Sequence, residues 1–190
     1  MIPFDWRLVA VEASACAWIV VLLAADMLTP ESRKRGLWRL ALGGIALCAA
    51  ALAWQQHTLV ETAAREMLVA DRFSAYFKSL FLLTGAVVIM MTRESYRDLN
   101  DNPGPFYLLL FTALLGTLVL SSINDLLMLF IGLELLTFSL YIMAAYLKKD
   151  ARSIEAGMKY LILGSVSSGF LVYGIALRYG FAGTTAFPAL

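Results

Sequence analysis

Two ionisable residues of opposite charge, Glu134 and Lys159, lie inside apolar segments that are long enough to cross a membrane. Charge is costly in hydrocarbon, so such residues usually face the interior of a helix bundle and serve an ion or proton path. Thr137 and Tyr141 follow Glu134 by three and seven residues, which places them on the same helical face. The pattern predicts a proton-transfer pair with a polar stripe beside the carboxylate.

A purely structural role for these residues also stays open, as an alternative to proton transfer. Glu134 and Lys159 are also compatible with a static salt bridge between two helices, in a chain that acts only as a scaffold. Counting from the predicted helix ends, their depths differ by about 8 Å, which long side chains or one water can bridge. Glu155 offers Lys159 a different partner, because it lies four residues earlier in the order that favours an intrahelical pair.

The composition indicates that membrane helices position these residues. Hydrophobic residues make up 61% of the chain and charged residues only 15%, with a mean hydropathy of +0.76, which is typical of a polytopic membrane protein. The net charge of +1 gives no bias towards nucleic acid. Cys16 and Cys48 lie in apolar runs, which favours buried thiols over a disulfide. With His57 as the single histidine, we expect no metal site and no cofactor site in this chain.

Six apolar runs of about 18–22 residues predict an all-α fold, a polytopic transmembrane helix bundle in a single membrane domain over residues 1–190. The first run is too long for a signal-peptide core, so we expect a retained helix. Asn124 or Asp125 can cap the fifth helix after a tight hairpin. Apolar and charged residues in 59–68 fit either a short amphipathic helix on the membrane surface or a packed loop. The predicted helices span residues 8–28, 37–54, 73–92, 106–123, 126–147 and 157–179.

Basic residues are distributed unevenly between the two sides of the predicted bundle. The positive-inside rule therefore places the N-terminus outside and connections one, three and five in the cytoplasm. Those connections hold Arg33, Lys34, Arg35, Arg39, Arg93, Arg97, Lys148, Lys149 and Arg152, whereas the opposite side holds Arg7, Arg65, Arg72 and Arg178.

The other charges near the helix ends are expected at the membrane surface. Lys78 is close enough to the outer end of the third helix to snorkel. Glu12 and Asp26 flank the first helix and are predicted to be interfacial, while Asp71 and Asp125 are typical helix-start residues.

Small residues on the sixth helix predict a packing surface. Gly157, Gly164 and Ser168 share one face, and small residues let helix backbones approach closely in lipid. By helical phase, this face points away from Lys159.

Several spaced motifs in the second half of the chain resemble one known family. They are FYLLLFTALLG at 106–116, DLLMLFIGLELL at 125–136, SLYIMAAY at 139–146, RSIEAGMKYLILG at 152–164 and SSGFLVYGIALRYG at 167–180. In this order they resemble subunit N of the proton-pumping NADH:quinone oxidoreductase (respiratory complex I), one of its antiporter-like membrane subunits. The segment DRFSAYFK at 71–78 is similar to the start of helix three in that family.

The resemblance implies roles for the residues identified above. Glu134 corresponds to the glutamate of helix five and Lys159 to the lysine of helix six, which the resemblance implies are the coupling pair of a proton half-channel. Thr137, Tyr141 and Glu155 are then polar neighbours of that pair.

Two features depart from the family pattern. Ser139 stands where many members have proline, so a kink in helix five is expected to be absent. The family continues well beyond residue 190, so we expect this chain to be the N-terminal part of an antiporter-like fold, as a fragment or a truncated subunit.

The implied function is that of a non-redox membrane subunit that contributes to proton translocation coupled to electron transfer from NADH to quinone. NADH, FMN, iron–sulfur clusters and quinone are then expected on partner subunits. The expected partners are other membrane subunits of complex I and the lipid bilayer, in a bacterial inner membrane. A multisubunit cation/proton antiporter or a membrane-bound hydrogenase is the alternative, and a scaffold fragment is the second alternative.

Overall fold

The computed structural model describes residues 6–30, 34, 36–58, 63–64, 67–94 and 103–187. Over this part of the chain the fold is the predicted all-α bundle, and a short 3₁₀ turn at Trp6–Val9 leads into it. The helices are α1 (Ala10–Leu28), α2 (Leu37–Thr58), α3 (Arg72–Glu94), α4 (Gly104–Leu120), α5 (Leu126–Ala144) and α6 (Ala151–Ala182).

Five of these helices are long and apolar enough to cross a membrane, and α4 is a shorter apolar helix. With 17 residues, α4 lies at the lower end of the range that spans a bilayer. The largest difference from the predicted bounds is at α6, which begins at Ala151 and not at residue 157. Asp150 explains the early start, because its side chain accepts a hydrogen bond from the Arg152 amide at 3.0 Å and caps the helix.

The helices alternate in direction, which defines two ends of the bundle. At the near end α1, α3 and α5 begin, and at the far end they finish. Gln55 near the end of α2 donates to the carbonyls of Arg7 and Leu8 just before α1, at 2.8 and 2.9 Å. The segment after α6 joins the same end, where the Leu126 amide donates to the Thr185 carbonyl at 3.0 Å.

The connection between α2 and α3 is a small antiparallel pair in its described part. Strands β1 (Ala63–Ala64) and β2 (Val69–Ala70) pair there, so the amphipathic-helix alternative is wrong for these residues. The remaining residues of that prediction at 59–62 and 65–66 lie outside the described part. The Val69 amide donates to the Ser122 carbonyl at 2.8 Å, which ties this connection to the α4–α5 hairpin. The hydrogen bond to Ser122 therefore favours an extended backbone here over the helix that the sequence periodicity indicated.

An apolar core lies between α1, α2, α3 and α4, and α5 and α6 are added in turn against α4 and α5. Two glycines bring α4 and α5 close together. A Cβ on Gly116 would be 2.7 Å from the Leu136 nitrogen and 2.9 Å from the Gly132 carbonyl oxygen. The α4–α5 contact is therefore a backbone-to-backbone contact that requires glycine at position 116.

Candidate functional site

Glu134 occupies the ninth position of α5 and is half-buried. Its distance from the near end of the helix is about 12 Å at the usual helical rise. Within the described residues, the salt bridges are formed by other carboxylates, and Glu134 has no counter-ion. The Thr137 hydroxyl does not donate to this carboxylate, because it donates to the carbonyls of Leu133 and Glu134 at 2.9 and 3.3 Å. Glu134 and Thr137 thus share one face of α5, but the Thr137 hydroxyl is bonded to the backbone of its own helix.

Tyr141 connects α5 to α6. The side chain is buried, and its ring meets that of Tyr160 edge-on with 4.7 Å between the ring centroids. A Cβ on Gly164 would collide with the Tyr141 hydroxyl, so Gly164 leaves the space that this tyrosine fills. The predicted neighbour of Glu134 is therefore a residue of the α5–α6 interface.

Lys159 pairs within its own helix. Its Nζ donates to Oε1 of Glu155, and the two side chains are 70% and 63% exposed. The intrahelical alternative is confirmed, and Lys159 is not brought to Glu134. The cause is the rotational setting of α6, because Gly157 packs on Ala145 and Gly164 on Tyr141.

Ser139 is buried in the middle of a continuous α5. Its hydroxyl donates to the Leu135 carbonyl at 2.9 Å, so the helical hydrogen bonding that a proline would interrupt is kept. The helix runs unbroken from Leu126 to Ala144, in accord with the expected absence of a proline break.

A second pair of opposite charges, which the sequence reasoning missed, joins α1 to α3. Nζ of Lys78 lies 2.7 Å from Oε1 of Glu12, and the two side chains are 0% and 9% exposed. The expected snorkelling of Lys78 and the expected interfacial position of Glu12 are therefore both wrong. Each residue lies near a helix start, but α1, α2 and α4 enclose that end of the bundle. The signal in the sequence was an acid near the start of the first helix and a base near the start of the third, because these two helices begin at the same end of the bundle.

The helix-start aspartates behave as predicted. Asp71 accepts from the Ser74 amide at 2.6 Å, and Asp125 accepts from the Leu127 amide at 2.7 Å. Asp125 also accepts a hydrogen bond from the Thr185 hydroxyl at 2.6 Å. Asp125 therefore caps α5 and holds the segment that follows α6.

At the far end, Asp26 is half-buried and lies 3.0 Å from the Lys34 ammonium, and its interfacial position stays a prediction. Tyr146 lies beyond α5 at the same end, with its ring edge-on to Phe106. Burial raises the pKa of the Tyr146 phenol to about 12. The described residues at this end thus form an ion pair and an aromatic contact.

The cysteines are free thiols, with Cys48 buried and Cys16 exposed. The burial predicted for both is therefore wrong at Cys16, which lies on a side of α1 that stays exposed in the described part of the chain. Among residues 6–58, 63–94 and 103–187 where described, acidic, cysteine and histidine side chains form no group suited to a metal ion. The chemistry that this arrangement can perform is proton transfer between carboxylates, ammonium groups and hydroxyls.

Comparison with known proteins places this arrangement in a family. Residues 123–190 match the family model for the transmembrane region of the NADH:quinone oxidoreductase and Mrp antiporter proteins. In respiratory complex I from Thermus thermophilus with bound Aureothin, a chain superposes with a TM-score of 0.76 and 29% identity, covering 93% of this chain and 38% of that one. The archaeal membrane-bound sulfane sulfur reductase shares the fold, with a TM-score of 0.73 at 21% identity over 94% and 38% of the two chains.

The fold and the family match define the class, an antiporter-like membrane subunit. NADH-quinone oxidoreductase subunit N 1 of Koribacter versatilis is 38% identical over 175 residues, which cover 87% of this chain and 34% of that protein. Subunit N of Moorella thermoacetica is 38% identical over 180 residues, which cover 94% and 37% of the two chains. The chain is therefore similar to subunit N of the NADH-quinone oxidoreductases over most of its own length, as the motifs indicated. It spans just over a third of the length of these relatives.

Proposed function

We propose that this chain is part of a non-redox membrane subunit of an NADH:quinone oxidoreductase and contributes to proton translocation coupled to quinone reduction. The observation that carries this proposal is Glu134, a half-buried carboxylate in the middle of a membrane helix, without a counter-ion among the described residues. A fixed salt bridge would hold the carboxylate in one state, whereas an uncompensated one can take up and release a proton. The subunit N relatives support the same assignment.

Electron transfer would take place on partner subunits, which would hold NADH, FMN, the iron–sulfur clusters and the quinone. The partners of this chain would be other membrane subunits, in a bacterial inner membrane. The basic residues favour an orientation with the near end of the bundle outside and the far end in the cytoplasm. Residues 1–190 would form a single membrane domain in that subunit.

The test is Glu134→Gln in the complete complex, reconstituted into liposomes with NADH and quinone. Glutamine keeps the size of the side chain and removes the exchangeable proton. We expect the rate of proton pumping to fall by at least about tenfold, since a positioned proton-transfer group typically contributes a hundredfold or more. Asp150→Asn is the matched control, because Asp150 is an exposed cap of α6 whose replacement can still accept the Arg152 amide hydrogen, and pumping should stay within about twofold of the wild type.

Assembly of each variant complex is measured first, so that a lost subunit is not mistaken for a lost proton site. An assembled Glu134→Gln complex with the wild-type pumping rate would contradict the proposed role. A requirement for sodium in place of protons would favour the cation/proton antiporter alternative, which the family model also covers.

A further inference from the structure

The ion pair between Glu12 and Lys78 lies apart from the Glu134 site. It joins α1 to α3, whereas Glu134 and Lys159 belong to α5 and α6. Lys78 has no exposed surface, although lysine is almost never fully buried without a functional or structural reason. A buried pair of this kind is costly to form from solvated charges, so packing alone does not account for it.

The hydrogen bonding of this pair is incomplete. Oε1 of Glu12 is in ionic contact with Lys78 but not aligned with it as a hydrogen bond, and Oε2 of Glu12 has no donor among the described residues. The Lys78 ammonium has three N–H donors, and Glu12 is its counter-ion in the described part of the chain. Buried polar atoms nearly always have a partner, and ordered water is the usual one where protein atoms do not supply it. Water can therefore bond to the remaining donors of Lys78 and acceptors of Glu12, whereas a structural salt bridge with complete hydrogen bonding would not need it.

The elements packed around the pair contribute few other titratable groups. The thiols of Cys16 and Cys48 on α1 and α2 are within electrostatic range of Glu12. Arg7 precedes α1, and Asp26 and Arg39 lie at the far end of α1 and α2. His57 is exposed at the end of α2. On α4 the titratable side chain is Tyr107, near the far end. Lys78 is thus the nearest charge to Glu12.

A polar stripe on α3 leads from the near end of the bundle to Lys78. Asp71, Ser74 and Lys78 follow one another at spacings of three and four residues, which puts them on one helical face. Ser74 is buried, and its amide and hydroxyl both bond to Asp71, at 2.6 and 2.9 Å. Asp71 is half-buried and lines a surface groove of about 410 Å³ at that end. Water and protons outside the bundle can therefore reach the top of the stripe.

Beyond Lys78 the same face of α3 becomes apolar. Leu82 and Ile89 are buried there and belong to the core that α1, α2 and α4 complete. The route therefore ends at the ion pair and does not continue to the far end of the bundle.

We propose that Glu12 and Lys78 form a second proton-exchange site, open to the near end of the membrane through Asp71 and Ser74 and closed towards the far end. The site holds one exchangeable proton. An N–H bond of the Lys78 ammonium breaks and an O–H bond forms on Glu12, so the pair passes from two opposite charges to two neutral groups. Release breaks the O–H bond on Glu12 and passes the proton to water by way of Ser74 and Asp71, which leaves a neutral Lys78 beside the Glu12 carboxylate. Uptake of a proton by the Lys78 amine from the same side restores the ion pair. The inference rests on the proposed translocation function, which supplies the protons.

Lys78→Arg separates a proton-exchange site from a static bridge. Arginine keeps the positive charge and the ion pair but does not release its proton in proteins. In the complete reconstituted complex, we expect proton pumping to fall by at least about tenfold with assembly intact. Lys34→Arg is the matched control, because Lys34 also pairs with an α1 carboxylate, and it should stay within about twofold of the wild type. A Lys78→Arg complex that pumps like the wild type would show that the pair is a static bridge.

If arginine does not fit the closed space, the double variant Glu12→Gln with Lys78→Met removes both charges without leaving one buried alone. An assembled double variant should again lose at least about tenfold of the pumping rate, and wild-type pumping would overturn the proposal. Glu134→Gln, measured in parallel, keeps the two hypotheses apart. Loss in Glu134→Gln with normal pumping in the Lys78 variants would reject the second site and leave the proposed function intact. The opposite result would reject the role of Glu134 and retain the second site.

Discussion

Gly116→Ala should disturb the contact that positions Glu134. The added Cβ would be 2.7 Å from the Leu136 nitrogen, where ordinary van der Waals contact begins at 3.4 Å. The obstacle is backbone on α5, so a side-chain rotation cannot relieve it. The two helices must therefore separate by about 0.7 Å, and Glu134 lies between the two α5 residues, Gly132 and Leu136, that meet the new methyl group.

The expected cost is the balance of two effects. Overpacking of a tight contact costs about 1–3 kcal/mol, and replacing glycine by alanine within a helix returns up to about 1 kcal/mol. A net loss of about 1 kcal/mol should lower the Tm of the subunit, measured in the purified complete complex, by about 2–4 °C. If Glu134 transfers protons as proposed, its displacement by a fraction of an ångström should also slow proton pumping, by up to about a hundredfold for a full ångström.

Gly85→Ala is the control, because it makes the same chemical change at another buried helical glycine. There a Cβ would meet only the flexible methyl ends of Ile45 and Leu114, at 3.3 to 3.5 Å. This variant should be as stable as the wild type or slightly more stable. Equal Tm values and equal pumping rates for both variants would refute the argument that the α4–α5 backbone contact positions Glu134.

Two further predictions concern the ends of the bundle. The raised pKa of Tyr146, about 12 against an ordinary value of 10, means that its contribution to stability is present below pH 10 and is lost as the pH rises towards 12. Tyr146→Phe should remove this part of the alkaline loss in a series of unfolding measurements, and an unchanged pH profile would contradict the assignment. Asp125→Ala should destabilise the subunit by about 1–2 kcal/mol, since the cap on Leu127 is lost. Asp125→Asn should cost less in the same unfolding assay, because the amide oxygen can still accept; equal losses for both would argue against capping.

Hydrophobic periodicity and length predicted the fold because both are local properties of the chain. Each helix is encoded in its own residues, and the caps at Asp71 and Asp125 were readable from side-chain chemistry alone. The α2–α3 connection was not predictable in this way. Its strands depend on Ser122, which lies more than fifty residues further along the chain.

The candidate site was predicted less completely, because burial depends on which helices become neighbours. Position along a helix gives depth, and on that basis Lys78 could have reached the membrane surface. In the structure Lys78 is buried and pairs with Glu12 of α1. This contact joins residues that are far apart in the sequence, so a local sequence pattern does not predict it. Depth along the helix therefore did not distinguish the pair of Glu12 and Lys78 from the pair of Glu134 and Lys159.

The rotational setting of α6 decides what Lys159 can do. Lys159 and Glu134 lie at similar depths, about 12 Å into α6 and about 15 Å from the opposite end of α5, so depth does not separate them. The packing of Gly157 and Gly164 keeps the two side chains apart. Both glycines lie against the α5 side of the bundle, and a large side chain cannot replace either of them at that distance. Lys159 reaches Glu134 only if α6 turns about its axis, which would push those glycines out of their contacts.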